Sequence, residues 1–143
     1  MSWRRLHAWT AILWVVAIIV QVFLAGQAIG NLGGSGDFAT HRDVGYTIGI
    51  VQLIALVLAF PARMSGRDKA ISAGLLVLYI VQTLLPGFRT GPTFLAALHP
   101  LNAMVLFTLS IWYARHAWRL AGAIAPTPVS SATEPAEAAA KAG

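Results

Sequence analysis

The chain has 143 residues, of which 57% are hydrophobic and 10% are charged, and its formal net charge is +5. About a quarter of the residues in a typical soluble domain are charged, so this composition excludes a soluble monomer. The chain has no cysteine, which excludes disulfides, zinc–thiolate sites, iron–sulfur clusters and a thiol nucleophile.

Four long uncharged runs follow one another along the chain. They cover residues 8–36, 44–62, 70–88 and 90–114, and the shortest has 19 residues. An α-helix rises about 1.5 Å per residue, so roughly 20 apolar residues cross about 30 Å of hydrocarbon. The sequence therefore predicts an all-α integral membrane protein with four transmembrane helices.

The first run also has some features of a signal peptide. Arg4 and Arg5 precede it, and the small residues Ala25 and Gly26 lie near its end. Its 29 uncharged residues and an internal repeat that includes it favour a retained first helix.

Proline and glycine mark the ends of the next two helices. Pro61 ends the second, and Pro86-Gly87 ends the third. Short polar connections then favour an up-down four-helix bundle built from two helical hairpins over residues 1–120. From residue 121 the chain is rich in Ala, Pro, Ser, Thr and Glu, which predicts a disordered cytoplasmic tail over 121–143.

The basic residues indicate a membrane topology and not a nucleic-acid surface. Eight of the ten lysines and arginines fall on one side of the predicted bundle, and only Arg42 and Arg89 fall on the other. By the positive-inside rule both termini are cytoplasmic, in a multi-pass protein of a bacterial plasma membrane. Four tryptophans mark the same interface: Trp3, Trp9, Trp112 and Trp118.

A weak internal repeat relates the two hairpins. Ile19-Val20-Gln21 aligns with Ile80-Val81-Gln82 at an offset of 61 residues, and His41 and His99 follow at an offset of 58. In an up-down bundle the second and fourth helices are diagonal neighbours, so the two histidines are expected to face each other at one depth.

This arrangement predicts one b-type haem whose iron is bound by His41 and His99 near the outer face. The diagonal of a bundle with axes about 8–10 Å apart suits a metal held from both sides. One turn inward lie the small residues Gly45 and Ala103, with Gly49 beyond Gly45, which would leave room for the haem ring. The two outer arginines, Arg42 and Arg89, suit the haem carboxylates. Gln21 and Gln82 could bind an imidazole, a propionate or each other, or could form a plain contact between helices.

The orientation of the histidines requires early helix starts. Helical side chains lean toward the N-terminus, so a histidine in the first turn would point to water. Asp37 and Thr93 as N-caps would place each histidine further inside its helix. Because His99 precedes Pro100, a kink is expected there.

Two short motifs resemble known membrane proteins. His41-Arg42-Asp43-Val44-Gly45 resembles the His-Arg-x-x-Gly pattern of haem A synthases, and the chain looks like one four-helix half of such an enzyme. His99-Pro100-Leu101-Asn102 is similar to a His-Pro-x-Asn element of small uncharacterised four-helix membrane proteins. The synthases often carry a glutamate three residues before the first motif, where this chain has Phe38, and Asp37 is its nearest carboxylate. The resemblance therefore implies haem holding more than catalysis.

Two other functions compete with the haem prediction. One is a non-haem metal site, and the other is a small structural or assembly protein without a cofactor. A haem with both axial positions filled favours electron transfer, with a redox protein or a quinone as partner. His7 and His116, at the inner ends of the first and fourth helices, are expected to be interfacial residues in contact with water or headgroups.

Overall fold

The computed structural model describes residues 1–122, and these residues form five α-helices. Short 3₁₀ turns at Gly30–Leu32 and Leu85–Thr90 lie between them. Four stretches are long and apolar enough to cross a membrane, and the second stretch consists of two of the helices. The helices are α1 (Trp3–Ala28), α2 (Ala39–Thr47), α3 (Gly49–Leu58), α4 (Gly66–Leu84) and α5 (Thr93–Gly122).

The spans pack in chain order around a closed ring. Helix α1 packs against α3 and α5, and α4 packs against both of these helices on the other side. The structure confirms the predicted all-α four-helix bundle, with the second and fourth spans on one diagonal. We call the end of the bundle at which α1 begins the N-terminal end, and the other the His41 end.

The middle of the bundle is held by aromatic side chains. Trp14 is 1% exposed, donates from its indole nitrogen to the Ser110 hydroxyl at 2.9 Å, and meets the Tyr79 ring edge-on. Leu75 and Leu106 fill the space around them. Large apolar side chains such as Phe23 and Val77 point outward, as expected of helices whose outer faces contact lipid.

The second span is interrupted at Ile48, between α2 and α3. The Tyr79 ring from α4 packs directly on Gly49, which has no side chain to exclude it. The Tyr79 hydroxyl donates to the carbonyl oxygens of Gly45 at 2.8 Å and Tyr46 at 3.1 Å. A side chain that binds main-chain carbonyls in this way interrupts the helical ladder.

The helix starts differ in part from the prediction. Helix α2 begins at Ala39 and its N-cap is Phe38, not the predicted Asp37, although the Ala39 N–H donates to the Asp37 carboxylate at 2.8 Å. His41 therefore lies in the first turn. Thr93 is the first residue of α5 and not its cap. Helix α5 continues through Pro100 to Gly122, so Ala121 and Gly122 belong to the bundle. The rest of the predicted tail lies outside the described residues.

Candidate functional site

His41 and His99 meet across the bundle near its His41 end. Their ring centres are 6.2 Å apart, and the planes of the two rings are nearly perpendicular, at 81°. His41 lies on α2 and His99 on α5, and both are half-buried. The structure therefore brings together the two histidines that the hairpin repeat paired. His41 faces inward although it lies in the first turn, because its ring is held by a partner on α1.

Each histidine is anchored by the glutamine of its own hairpin. Nδ1–H of His41 donates to the main-chain carbonyl of Gln21 at 3.1 Å, and Nδ1–H of His99 donates to that of Gln82 at 3.0 Å. A carbonyl oxygen only accepts, so these contacts put the proton of each neutral ring on Nδ1. Both Nε2 atoms then carry a lone pair. The two hairpins of the repeat each form the same hydrogen bond, from a histidine Nδ1–H to a glutamine carbonyl.

A chain of amides reaches the second nitrogen of His99. Nδ2 of Asn102 donates to the Leu78 carbonyl at 3.0 Å and to Oε1 of Gln82 at 2.7 Å. The Gln82 amide nitrogen then donates to Nε2 of His99 at 3.2 Å. Asn102 was given no role of its own in the sequence prediction. Its spacing three residues after His99, one helical turn along the same face, is the signal that identifies it.

Gln21 binds the first turns of α2 with its side chain as well as its carbonyl. With the amide turned so that its oxygen accepts from Gly45 N–H at 3.1 Å, its nitrogen donates to the His41 carbonyl at 2.9 Å and lies 3.0 Å from Nδ1 of His41. A Cβ on Gly45 would lie 3.2 Å from the nearer atom of the Gln21 amide group. Gly45 therefore makes room for Gln21, and Gly49 makes room for Tyr79. Neither glycine opens the slot for a flat macrocycle that the sequence suggested.

Within residues 1–122 the side chains of the other predicted site residues form no hydrogen bond with either histidine ring. Ala103 is half-buried, one turn after His99. Arg42 is exposed and contacts the neighbouring Asp43 at 3.2 Å. Arg89 is exposed in the 3₁₀ turn Leu85–Thr90.

The N-terminal end contains a buried polar network that sequence reasoning missed. His7 is 0% exposed, so its predicted place at the interface is wrong. Its Nδ1–H donates to the Ala55 carbonyl at 2.9 Å, and its Nε2 lies 3.1 Å from the Tyr113 hydroxyl. Tyr113 also bonds to the main-chain carbonyl of Asp68 at 3.2 Å. Both ring nitrogens of His7 are thus used inside the protein.

Asp68 completes this network on α4. His116 donates from Nε2 to its carboxylate at 2.9 Å, and the Ser65 hydroxyl donates at 2.7 Å. Ser65 and Asp68 form the reciprocal capping box that starts α4. The His116 ring is stacked on the Trp112 ring, with the ring planes 1° apart. His116 is therefore a bridge between α4 and α5.

One family model matches part of the chain. It describes a family of unknown function, DUF6220, and covers residues 21–90. This segment begins at Gln21, includes His41 and Gln82, and ends before His99. The chain is similar to that family over this segment. Comparison with curated proteins and with solved structures gave no match.

The distance between the two ring centres is close to the distance expected for two imidazoles that bind one metal ion through Nε2. Two metal–imidazole bonds of about 2.0–2.1 Å, with roughly 1.1 Å more from each nitrogen to its ring centre, separate the centres by about 6.3 Å. The separation in the structure is 6.2 Å. Ligating histidines commonly donate their other N–H to a carbonyl, as both do here.

The number of protein donors differs between kinds of metal site. No group of three or more His, Cys, Asp or Glu residues suited to a metal lies within residues 1–122. A zinc ion takes three or four protein ligands, whereas haem iron takes four donors from its porphyrin and needs two more. Two histidines are the number of protein donors that a six-coordinate haem iron takes, while Gln21 and Tyr79 fill the space at Gly45 and Gly49. Binding at Nε2 of His99 requires the Gln82 amide to give up its contact with that nitrogen.

Proposed function

We propose that this protein is a membrane haem protein that holds one b-type haem through His41 and His99 near its His41 end. The observation that carries the proposal is the pair of rings 6.2 Å apart, each with Nδ1 bound to a main-chain carbonyl. In the tautomer that these contacts favour, Nε2 carries the lone pair in both rings and is the nitrogen that would bind the iron.

The axial histidines and the residues that orient them would determine the reactivity of a bound haem. A bound haem supplies one-electron redox chemistry, and two axial histidines leave it no open coordination site for oxygen. The carbonyls of Gln21 and Gln82 orient the two ligands, and Asn102 orients the Gln82 side chain. These contacts favour electron transfer or haem holding, with a redox protein or a quinone as the partner.

The resemblance to one half of a haem A synthase belongs to the same proposal. The synthases use an acidic residue shortly before the His-Arg motif for oxidation, and here Phe38 stands at that position. Its ring lies edge-on to His41, with the ring centres 6.1 Å apart. An apolar ring can pack against a ligand but cannot move a proton, so the proposal is a haem-holding relative and not an oxidase.

Visible spectroscopy tests the proposal directly. Full-length protein made with ample haem should show the sharp Soret and split visible bands of a reduced six-coordinate low-spin haem. His41→Gly and His99→Gly should each lose these bands, and added imidazole should restore them by filling the vacated position. His116→Gly is the matched control at the N-terminal end and should keep the wild-type spectrum.

Two results would overturn the assignment. Haem-supplied protein that purifies colourless would leave the structural or assembly role as the better explanation. An unchanged haem spectrum in the double variant His41→Ala/His99→Ala would show that the haem binds elsewhere.

Electron paramagnetic resonance tests the geometry of the pair. Perpendicular imidazole planes leave two iron d orbitals nearly equal in energy, which gives a ferric signal with an unusually large maximum g value. The 81° angle between the rings predicts that signal. The rhombic signal of parallel imidazoles would contradict it.

The same proposal includes the location. Seven of the nine basic residues within residues 1–122 lie toward one side of the four spans, which favours a bacterial plasma membrane with both termini cytoplasmic. A phosphatase fused after Gly143 should be inactive, and a fluorescent protein at the same place should be bright. The opposite pair of results would reverse the orientation.

A further inference from the structure

A cleft of about 440 Å³ opens at the N-terminal end of the bundle. It lies between the start of α1, the turn that follows α3 and the last turn of α5. Three arginines line it together with apolar residues: Arg4, Arg5 and Arg63, with Pro61 and Ala121 among the others. It is far along the bundle from the histidine pair and has no part in the proposed haem site.

Arg4 builds one wall of the cleft. Its Nε donates to the Ala62 carbonyl at 3.1 Å, and one terminal nitrogen donates to the Arg63 carbonyl at 3.4 Å. These bonds tie the start of α1 to the turn after α3. Arg4 is therefore a structural member of the cleft, whereas the exposed side chains of Arg5 and Arg63 are free to meet a ligand.

The positive charge of the cleft has no acidic partner in the described part of the chain. Within residues 1–122 the ion pairs are Arg42 with Asp43 and His116 with Asp68. Asp68 is the one acidic residue of that range at this end, and His116 and Ser65 already bind its carboxylate. The cleft thus complements an anion from outside this part of the chain.

Aromatic residues place the cleft at the level of lipid headgroups. Trp3 is part of its lining and is 56% exposed. Exposed Trp9 and Trp118 pack edge-on to each other with ring centres 5.1 Å apart on the adjoining surface of α1 and α5. Tryptophans concentrate at the boundary between hydrocarbon and water, where phosphates lie within reach of arginine.

We infer that this cleft binds the phosphate of an anionic phospholipid, with Arg5 and Arg63 as the direct contacts. Guanidinium groups pair with phosphate oxygens through two parallel hydrogen bonds. Basic pockets between membrane helices bind lipid headgroups in the same way. The acyl chains would lie along exposed apolar side chains beside the cleft, such as Phe60.

Native mass spectrometry of full-length protein in mild detergent tests this inference. With added phosphatidylglycerol, bound lipid should persist at collision energies that remove phosphatidylcholine. Arg5→Gln/Arg63→Gln should weaken phosphatidylglycerol binding by about fivefold per arginine. Arg67→Gln/Arg119→Gln is the matched control, because both residues are exposed, lie outside the cleft lining and remove the same charge from the same end. It should retain the binding of the wild type.

Three outcomes would overturn the inference. Equal losses in the two double variants would show diffuse attraction to the basic surface and no site. Inorganic phosphate that binds as tightly as the lipid, and displaces it, would identify the ligand as free phosphate. A full-length Glu134→Gln/Glu137→Gln variant that binds lipid where the wild type does not would show that the chain's own carboxylates fill the cleft. Circular dichroism checks that each variant is folded.

Discussion

Each end of the bundle contains two histidines, and the two pairs differ in what the second ring nitrogen does. At the His41 end Nδ1 of both rings is bound to a main-chain carbonyl. Within residues 1–122 no hydrogen bond involves Nε2 of His41, and Nε2 of His99 accepts one from the Gln82 side-chain amide. At the N-terminal end both nitrogens of His7 have protein partners. The Nε2 of His116 is bound to the Asp68 carboxylate.

The histidines at the two ends therefore have different roles, one pair connecting helices and the other suited to bind a ligand. His7 connects α1 to α3 and α5 through its two nitrogens, and His116 connects α5 to α4 through its bond to Asp68. His41 and His99 are oriented through Nδ1, and each retains a lone pair on Nε2, to which the Gln82 amide donates in His99. We therefore expect variants at the N-terminal end to change stability and variants at the His41 end to change haem binding.

The largest expected loss of stability is that of His7→Ala. The substitution removes two buried bonds and leaves the Ala55 carbonyl without its donor, so the free energy of unfolding should fall by about 3 kcal/mol. His99→Ala, in a half-buried position, should cost no more than about 1 kcal/mol while abolishing the haem spectrum. Denaturation in mixed micelles, followed by circular dichroism, compares the two. Equal losses of stability in His7→Ala and His99→Ala would contradict the proposed difference between the two ends.

The second prediction concerns the middle of the bundle, which connects the two ends. A methyl group on Gly49 would overlap the Tyr79 ring, so Gly49→Ala should destabilise the fold by about 2 kcal/mol. Displacing Tyr79 also removes its bond to Gly45, one turn from His41, so haem affinity should fall. Gly74→Ala is the control on α4, because nothing lies near its Cβ position and alanine is the better helix former. A loss of stability in Gly74→Ala equal to that in Gly49→Ala would contradict the packing argument.

A smaller effect is expected at Asn102. Asn102→Ala loses the donors to the Leu78 carbonyl and to Gln82, at a cost of about 1.5 kcal/mol. The Gln82 side chain is then free to turn, so the haem bands should broaden or shift. Thr108→Ala, on the same helix, loses only a bond to its own turn and should leave the spectrum unchanged. An unaltered spectrum in Asn102→Ala would mean that Asn102 does not position the ligand.

The smallest change is expected for Ser65→Ala, which removes the cap of α4. Loss of such a cap costs about 1 kcal/mol, and Ser65→Thr should recover most of it. Because Ser65 and Asp68 belong to the N-terminal end, the haem spectrum should stay as in the wild type. A spectral change here would show that the two ends are coupled.

The sequence predicted the spans and the meeting of the two histidines for a simple reason. Uncharged length determines where a helix crosses the bilayer, and the repeat of Gln21 and His41 in Gln82 and His99 placed both hairpins in one register. The charge pattern likewise predicted which residues lie at the N-terminal end. These features depend on residue type and on distance along the chain.

The features that sequence reasoning missed depend on distant partners. A histidine beside an apolar run suits an interface as well as a core, and only Ala55 and Tyr113 decide that His7 is buried. The space beside a glycine can hold either a ligand or a neighbouring side chain. At Gly49 the Tyr79 ring from α4 occupies that space. The break at Ile48 likewise follows from the hydroxyl of Tyr79, which is 31 residues away in the sequence.

The number of hydrogens in the network around the Tyr113 hydroxyl depends on the protonation state of His7. Three contacts connect the Ala55 carbonyl to the Asp68 carbonyl through His7 and Tyr113, and each of them needs one hydrogen. A neutral imidazole and one hydroxyl supply two, and the two carbonyls supply none. With His7 neutral, the hydroxyl serves either the imidazole or the Asp68 carbonyl and leaves the other unpaired. All three contacts are satisfied together only when His7 carries a second ring proton, so a Tyr113 hydroxyl that donates to the imidazole marks a neutral His7.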